Sequence, residues 1–279
     1  MRSYFCGWYF RCQSDNQTLA IIPSIHKTMD SNFCTIQLIT DTEAFHVQFP
    51  YSDYKKGGQA IMLAENCFGI DGITLNIQAT GLHASGSIQF GPFAPIQYDI
   101  MGPFKYVPFM QCRHSVFSMR HSVDGKISIN GTFFEFKDAI GYIEGDRGYS
   151  FPREYVWTQC SFPAGSLMLS SADIPFGALQ FTGVIGIVLL NGQEHRIATY
   201  LGAKAIEITP QEIIVQQGSY TFIVKPRDFW GFPLRAPVSG GMKRTIHEHP
   251  SCKVYYRLEQ SGIPLLELNA PNAAFEYEY

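Results

Sequence analysis

Charged residues are scarce in this 279-residue chain, at 16% of the sequence. A typical globular domain has about 25% charged residues. Hydrophobic residues reach 46% and aromatic residues 14%, so the chain either buries much of itself or encloses an apolar cavity. The 21 basic and 24 acidic residues give a net charge of −3. Because there is no basic excess, nucleic acid and anionic membranes are not expected partners.

Paired cysteines and membrane-length apolar runs are absent as well. The seven Cys are an odd number, and none stands in CxxC spacing. Buried free thiols in a reducing compartment are therefore expected rather than a complete disulfide set. The longest apolar run, residues 181–190, is far shorter than the ~20 residues of a membrane span. With no signal-peptide pattern at the N-terminus, we expect a soluble, cytoplasmic protein without an integral membrane segment.

Signatures of helices, metal sites and activated nucleophiles are also missing. No window repeats its apolar residues with a helical period over three turns. No glycine-rich loop opens a helix, and no Ser or Cys stands in a nucleophile elbow or triad order. The HEH run at 247–249, which we interpret as an exposed loop, lacks a third ligand. His114 and His121 are seven residues apart and would face opposite sides of a strand, so no metal site is predicted.

The pattern that is present is that of β-strands. Residues 44–49, AFHVQF, alternate apolar and polar side chains, as a half-buried strand does. Asn130–Gly131, Asn191–Gly192 and Asp124–Gly125 each predict a tight turn between two such runs. Many short strands at regular spacing indicate a sandwich or a barrel.

The second half of the chain resembles a looser copy of the first. Residues 7–13, GWYFRCQ, and 155–160, YVWTQC, each place a tryptophan in a strand that ends near a Gln/Cys pair. We therefore predict an all-β protein made of two tandem antiparallel β-barrels related by duplication. The predicted N-terminal domain covers residues 1–148 and the C-terminal domain covers residues 149–279.

Titratable and aromatic side chains are concentrated in residues 141–160. In an extended strand, Glu144, Asp146 and Tyr142 would share one face, with Arg147 on the other. A carboxyl group in apolar surroundings has a raised pKa and can donate a proton near neutral pH. A structural pair between Arg147 and a carboxylate on a surface loop would look the same in the sequence. The tryptophans Trp8, Trp157 and Trp230 are likewise either core anchors or walls of a cavity.

Four segments of the chain resemble the tocopherol cyclase family, in the same order along the sequence. The first is YFCGWYFR at residues 4–11, similar to the family's YFEGWYFK. The second is FFEFKD at 133–138, similar to FEF-[RK]-D-A. The third, at 142–160, resembles Y-x-EKNWG-x-x-FP-[RK]-x-[WY]-x-W-x-QC and is the most specific. The fourth is GFPLRAP at 231–237, similar to G-T-PLRAP.

This resemblance implies a calycin-related fold with lipocalin-like β-barrels in tandem, shared with carotenoid hydratase and Diels–Alderase relatives. It also implies a reaction, in which a proton adds to the alkene of a prenylated hydroquinone and the phenol oxygen captures the tertiary cation. Such a reaction needs a buried acid and an apolar tunnel, and it needs no cofactor or metal. By position, Glu144 matches the family Glu, Asp146 its Asn and Arg147 its Trp.

Two functions remain open at this stage. The first is an enzyme for acid-promoted cyclisation, hydration or isomerisation of an isoprenoid-like substrate, with Glu144 as proton donor and Asp146 and Arg147 tuning it. The second is a lipocalin-like protein that binds a hydrophobic small molecule and uses the acid only in a salt bridge. Arg147 favours the second, because a nearby cation lowers the pKa of a carboxyl group. In either case the predicted ligand-contacting residues are Trp8, Tyr142, Tyr149, Trp157 and Arg235.

Overall fold

The computed structural model describes residues 3–108, 110–176, 179–227 and 231–279, so Trp230 lies outside the described ranges. Their regular structure is almost entirely β-strand, which confirms the all-β prediction. The described 3₁₀ helices are short, at Tyr51–Asp53, Gly102–Tyr106 and Thr199–Leu201. None of the helices in these ranges has the length and apolar character that a membrane span requires.

The first sheet has eleven antiparallel strands in the order β4-β3-β2-β1-β11-β10-β9-β8-β7-β6-β5. Strand β1 therefore pairs with β2 on one side and with the last strand, β11, on the other. The strands are β1 Tyr4–Gln13, β2 Thr18–Lys27, β3 Asn32–Thr40, β4 Ala44–Pro50, β5 Tyr54–Gly57, β6 Ala60–Leu63, β7 Asn66–Gly69, β8 Gly72–Ala79, β9 Leu82–Phe90, β10 Cys112–Ile129 and β11 Thr132–Gly148.

The second sheet has ten strands, in the order β15-β14-β13-β12-β21-β20-β18-β17-β16, with β19 paired to β20. Its first strand, β12, again lies between the next strand, β13, and the last strand, β21. The strands are β12 Tyr155–Phe162, β13 Gly165–Phe176, β14 Leu179–Leu190, β15 Gln193–Ala198, β16 Lys204–Ile208, β17 Ile213–Gln217, β18 Tyr220–Arg227, β19 Phe232–Val238, β20 Gly241–Gln260 and β21 Ile263–Tyr277.

The two sheets repeat one topology, consistent with the predicted tandem lipocalin-like fold. The chain divides into two compact units, which do not follow the sequence order throughout. Unit 1 contains residues 1–96, 112–150 and 234–244, and unit 2 contains 97–111, 151–233 and 245–279. That each half is a separate domain, divided between residues 148 and 149, stays a prediction.

Each unit has its own apolar core, built from alternate residues of its strands. In unit 1, Phe10 and Ile143 lie opposite each other on β1 and β11 and both belong to this core. In unit 2, Val156, Phe275 and Tyr256 belong to the corresponding core. Burying a large apolar side chain contributes about 1.5–3 kcal/mol. In a strand, the residues between these core positions face away from the core.

Two of the three predicted turns are confirmed. At Asn130–Gly131 the φ angles are 48° and 86°, and at Asn191–Gly192 they are 49° and 80°, as a type I′ hairpin turn requires. The Asp124–Gly125 prediction is wrong, because both residues lie inside β10. A Cβ on Gly125 would lie 2.4 Å from the carbonyl oxygen of Ser87 on the neighbouring strand. Glycine is therefore needed there for close approach of two backbones rather than for a turn.

The prediction of an exposed loop at residues 247–249 is also wrong. These residues lie within β20, and Glu248 has no exposed surface. His247 is exposed on the same strand. The run therefore alternates as a strand does, with its carboxylate buried rather than its imidazoles.

Candidate active site

The centre of the candidate site is one face of β11. Tyr142, Glu144 and Asp146 alternate with Ile143, which points into the core of unit 1. The three polar side chains therefore share the opposite face, as the period of a strand dictates. Tyr142 is 1% exposed and Glu144 is 5% exposed. A carboxylate this deeply buried needs partners, because burying an unpaired charge is costly.

Tyr142 supplies one partner of Glu144. Its hydroxyl donates a hydrogen bond to Oε2 of Glu144, with an O–O distance of 2.5 Å. Burial raises the pKa of Tyr142 well above its usual value of 10, and the negative charge of Glu144 raises it further. The phenol therefore stays protonated and acts as a hydrogen-bond donor to the carboxylate.

His114, on the neighbouring strand β10, is the second partner of Glu144 and links it to Asp146. Its Nε2 lies 3.1 Å from Oε2 of Glu144, and its Nδ1 lies 3.1 Å from Oδ1 of Asp146. The imidazole thus stands between two carboxylates, one at each ring nitrogen. Sequence reasoning did not associate His114 with these residues.

The charges around His114 favour its protonated form. Burial by itself lowers the pKa of His114, because it removes hydration from the imidazolium. The charges of Glu144 and Asp146, and the hydrogen bond with Asp146, outweigh burial and hold the pKa well above 6.5. At neutral pH, the ring therefore carries a proton that either carboxylate can accept.

Cys112 lies at the more open end of the cluster. Its Sγ donates to Oδ1 of Asp146 over 3.4 Å. Burial raises the pKa of the Cys112 thiol well above its usual value, and the charge of Asp146 raises it further. The thiol is therefore not a nucleophile in this setting. The Asp146 side chain is 22% exposed, which gives the cluster a route for proton exchange with solvent.

Glu144, Asp146 and His114 are also three groups of a kind that bind metal ions, and one ligand atom from each lies within 4.8 Å of the others. However, each ring nitrogen of His114 contacts a different carboxylate. A metal bound to one nitrogen and both carboxylates would require the ring to lose one of those contacts. The observed geometry suits a shared proton better than a shared metal ion.

Of the residues predicted from the sequence, Tyr142, Glu144 and Asp146 come together. Arg147 is exposed and lies opposite Cys6 and Arg113, on the other face of β11. In the described residues no ion pair joins it to either carboxylate, whose charged partner is His114 instead.

The other predicted ligand-contacting residues are dispersed. Trp8 packs against the core of unit 1, and Tyr149 is 41% exposed. Trp157 is 5% exposed and lies on β12, in unit 2. Arg235 lies on β19 and lines a separate pocket, described below. Their contacts with a ligand stay predictions.

Comparison with known proteins reveals similarity in structure rather than in sequence. No protein-family model matches the chain. No curated protein sequence matches it either. Family membership therefore remains a resemblance, whereas the fold can be compared directly with solved structures.

Three solved structures share the fold over nearly the whole chain. A putative AttH from Nitrosomonas europaea matches at 12% identity and a TM-score of 0.57, covering 100% of this chain and 93% of its own. Kievitone hydratase from Nectria haematococca matches at 8% identity and 0.57, covering 99% and 89%. CghA, solved with Sch210972, matches at 9% identity and 0.64, covering 99% and 88%. At such low identity these matches define the fold alone.

Proposed function

We propose that the protein is an enzyme that protonates a carbon–carbon double bond of a hydrophobic, isoprenoid-like substrate. The result is cyclisation, hydration or isomerisation, as in the tocopherol cyclases that the sequence resembles. The observation that carries the proposal is the buried cluster in which His114 bridges Glu144 and Asp146. The name of one structural neighbour, kievitone hydratase, denotes a hydration and supports the reaction class.

In the proposed reaction, the alkene π electrons take the proton shared by Glu144 and His114 and form a new C–H bond. The resulting tertiary cation is captured by an oxygen lone pair, from a phenol of the substrate in cyclisation or from water in hydration. The O–H proton of that nucleophile then returns to the cluster. In isomerisation, a C–H proton returns instead, and every cycle leaves the cluster in its starting protonation state.

Deuterium incorporation tests this proposal. The protein is incubated with prenylated hydroquinones and polyenes in deuterated water, and products are examined by mass spectrometry and NMR. We expect deuterium at the newly protonated carbon, because Asp146 lets the cluster exchange with solvent. In Glu144→Gln the rate should fall by about 10²–10⁴-fold, the usual contribution of general acid catalysis.

Glu276→Gln is the matched control, since Glu276 is a carboxylate of unit 2 that also accepts a hydrogen bond from a tyrosine. The thermal stability of Glu276→Gln and of Glu144→Gln is measured beside that of the wild type. The rate of Glu276→Gln should stay within twofold of the wild-type rate. If a compound binds by calorimetry but gains no deuterium, or if Glu144→Gln is as active as the wild type, the acid mechanism is wrong. The binding function would then be the better explanation.

A further inference from the structure

A second candidate site lies in unit 1, away from the cluster around His114. It is a pocket of about 430 Å³ formed by the β2–β3 turn, strands β3 and β4, and the turn end of the β19–β20 hairpin. Neither Glu144 nor Asp146 contributes to its lining. The residues that the argument uses are Phe33, His46, Gln48, Arg235, Met242 and Lys243.

Hydrogen bonds to its backbone hold the β19–β20 hairpin, which forms one wall of this pocket, in place. The side-chain amide of Gln37 donates to the carbonyl oxygen of Arg235 over 3.0 Å and accepts from its N–H over 2.7 Å. At the hairpin turn, Nδ1 of His26 lies 2.9 Å from the carbonyl oxygen of Gly240. The N–H of Gly240 donates to the carbonyl oxygen of Tyr149 over 2.7 Å. The hairpin that carries Arg235 is therefore a built part of unit 1.

Gly240 is required for this docking. Its φ is +78°, in the left-handed region that glycine adopts without strain. A Cβ there would also lie 2.3 Å from the carbonyl oxygen of Lys27. The next glycine, Gly241, leaves room for the stem of Lys243, whose Cε would lie 3.3 Å from an added Cβ. A side chain at position 241 would therefore crowd Lys243.

The pocket lining has excess positive charge. Arg235 and Lys243 are cations, whereas Asp30 is the carboxylate among the lining residues. His46 faces the same space, where lost hydration and then the charge of Arg235 lower its pKa. Gln48 adds a neutral hydrogen-bond donor.

The pocket also offers apolar surface beside its cations. Phe33 and Met242 are among the lining residues, and the ring of Phe33 stacks on that of His26 at 4.8 Å between centroids. An arginine and a lysine next to an apolar surface suit a ligand with a carboxylate at one end and a hydrocarbon body at the other.

We propose that this pocket binds amphipathic organic carboxylates, with Arg235 and Lys243 holding the carboxylate and Phe33 and Met242 contacting the hydrocarbon part. The site is independent of the proposed acid catalysis, because it shares no residue with the cluster around His114. Either proposal can fail while the other stands.

Calorimetry with 2-naphthoate tests the site, with the neutral analogue 2-naphthalenemethanol as its partner probe. We expect the carboxylate to bind at least tenfold more tightly than the alcohol. Arg235→Gln and Lys243→Gln should each weaken its binding by at least about tenfold, because each removes a charge-assisted hydrogen bond to the carboxylate. The NMR resonances of the His46 ring are assigned by their absence in His46→Gln. They should shift to saturation as 2-naphthoate is added and give the same dissociation constant as calorimetry.

Arg227→Gln and Lys253→Gln are matched controls, because both residues are exposed cations of unit 2. They should bind 2-naphthoate within twofold of the wild type. Equal binding of the alcohol, equal losses in the control variants or an unshifted His46 would each overturn the proposal. So would the absence of 2-naphthoate binding to the wild type.

Discussion

Glu144 in unit 1 and Glu276 in unit 2 occupy corresponding places in the two sheets. Each lies on the last strand of its sheet, opposite an aromatic residue of the first strand: Tyr9 for Glu144 and Trp157 for Glu276. Each also accepts a hydrogen bond from a tyrosine hydroxyl, of Tyr142 in one case and Tyr155 in the other. The repeated topology therefore places a carboxylate with a tyrosine partner at the same strand position in both sheets, buried in unit 1 and partly buried in unit 2.

The two settings differ in the neighbouring imidazole. In unit 1, a second carboxylate follows two residues later at Asp146, and His114 contacts both. In unit 2, Glu278 follows Glu276 by the same spacing, and the imidazole of His247, 3.8 Å from Glu278, is 59% exposed. Only the buried imidazole can hold a proton between two carboxylates out of water. The difference indicates that His114, rather than the carboxylate pair, distinguishes the candidate active site.

The largest effect is expected from His114→Gln, which makes unit 1 resemble unit 2 by removing the charged ring. Activity in the deuterium assay should fall by about 10²–10⁴-fold. The free energy of unfolding should fall by about 3–5 kcal/mol, because the buried carboxylate of Glu144 and the partly exposed one of Asp146 both lose their counter-charge. Denaturant unfolding at pH 7 measures the second effect. His247→Gln, the exposed counterpart, should change stability by less than about 1 kcal/mol.

The pH dependence of stability tests whether His114 stabilises unit 1 through its charge or through the packing of its ring. Since the pKa of His114 is raised in the folded state, its contribution to stability is complete below about pH 6.5 and is lost as the pH rises through the folded value. Wild-type stability should therefore decline on the alkaline side, and His114→Gln should lack this component. Identical alkaline profiles for the two proteins would contradict a charged His114.

Acid sensitivity should also distinguish the units. Burial lowers the pKa of both His26 and His121 in unit 1 to about 4. The pKa of a histidine in the unfolded chain is about 6.5. As the pH falls from 6.5 to about 4, each of these two histidines therefore lowers the free energy of unfolding by about 3 kcal/mol. Hydrogen exchange at pH 4.5 should thus deprotect the unit 1 strands first. His26→Asn and His121→Asn should flatten the acid limb of stability.

His83→Asn is the control for the acid limb, because His83 is exposed on β9 of the same unit. It should leave the slope of stability against pH unchanged. If His83→Asn flattens the slope as much as His26→Asn does, the buried histidines are not the source of the acid sensitivity. Asparagine is suited to this test because its amide nitrogen can replace Nδ1 as a donor to the carbonyl oxygen of Gly240.

The sequence predicts one half of the candidate site and not the other, for a physical reason. Alternation within a single strand brings Tyr142, Glu144 and Asp146 to one face, whatever the strand pairs with. His114 depends on pairing. With an unbroken register from the Asn130–Gly131 turn, His114 would lie opposite Arg147, on the wrong face. Register shifts within β10 and β11 move it opposite Asp146 instead.

Such shifts are hard to predict because they depend on contacts between strands rather than on neighbours in sequence. Their effect is large, since a one-residue slip moves every side chain of a strand to the other face. Asn-Gly turns and apolar alternation depend on neighbours in sequence, so the strands and hairpins were predictable. Gly125 looked like a turn for the same reason, although its requirement comes from Ser87 on another strand. The placement of the two carboxylates follows from alternation along one strand, whereas the placement of the imidazole depends on the pairing of two strands.

The smallest effects are expected from replacing the two tyrosines whose hydroxyls donate to Glu144 and Glu276. Tyr142→Phe and Tyr155→Phe each remove a hydrogen bond to a carboxylate and should lower the free energy of unfolding by about 2 kcal/mol. Tyr142→Phe should reduce activity by less than about tenfold, because His114 still contacts Glu144. Tyr155→Phe should leave activity unchanged. If Tyr142→Phe instead loses as much activity as Glu144→Gln, then the proton reaches the substrate through the phenol. The cluster would then act as a relay that ends at Tyr142 rather than at Glu144.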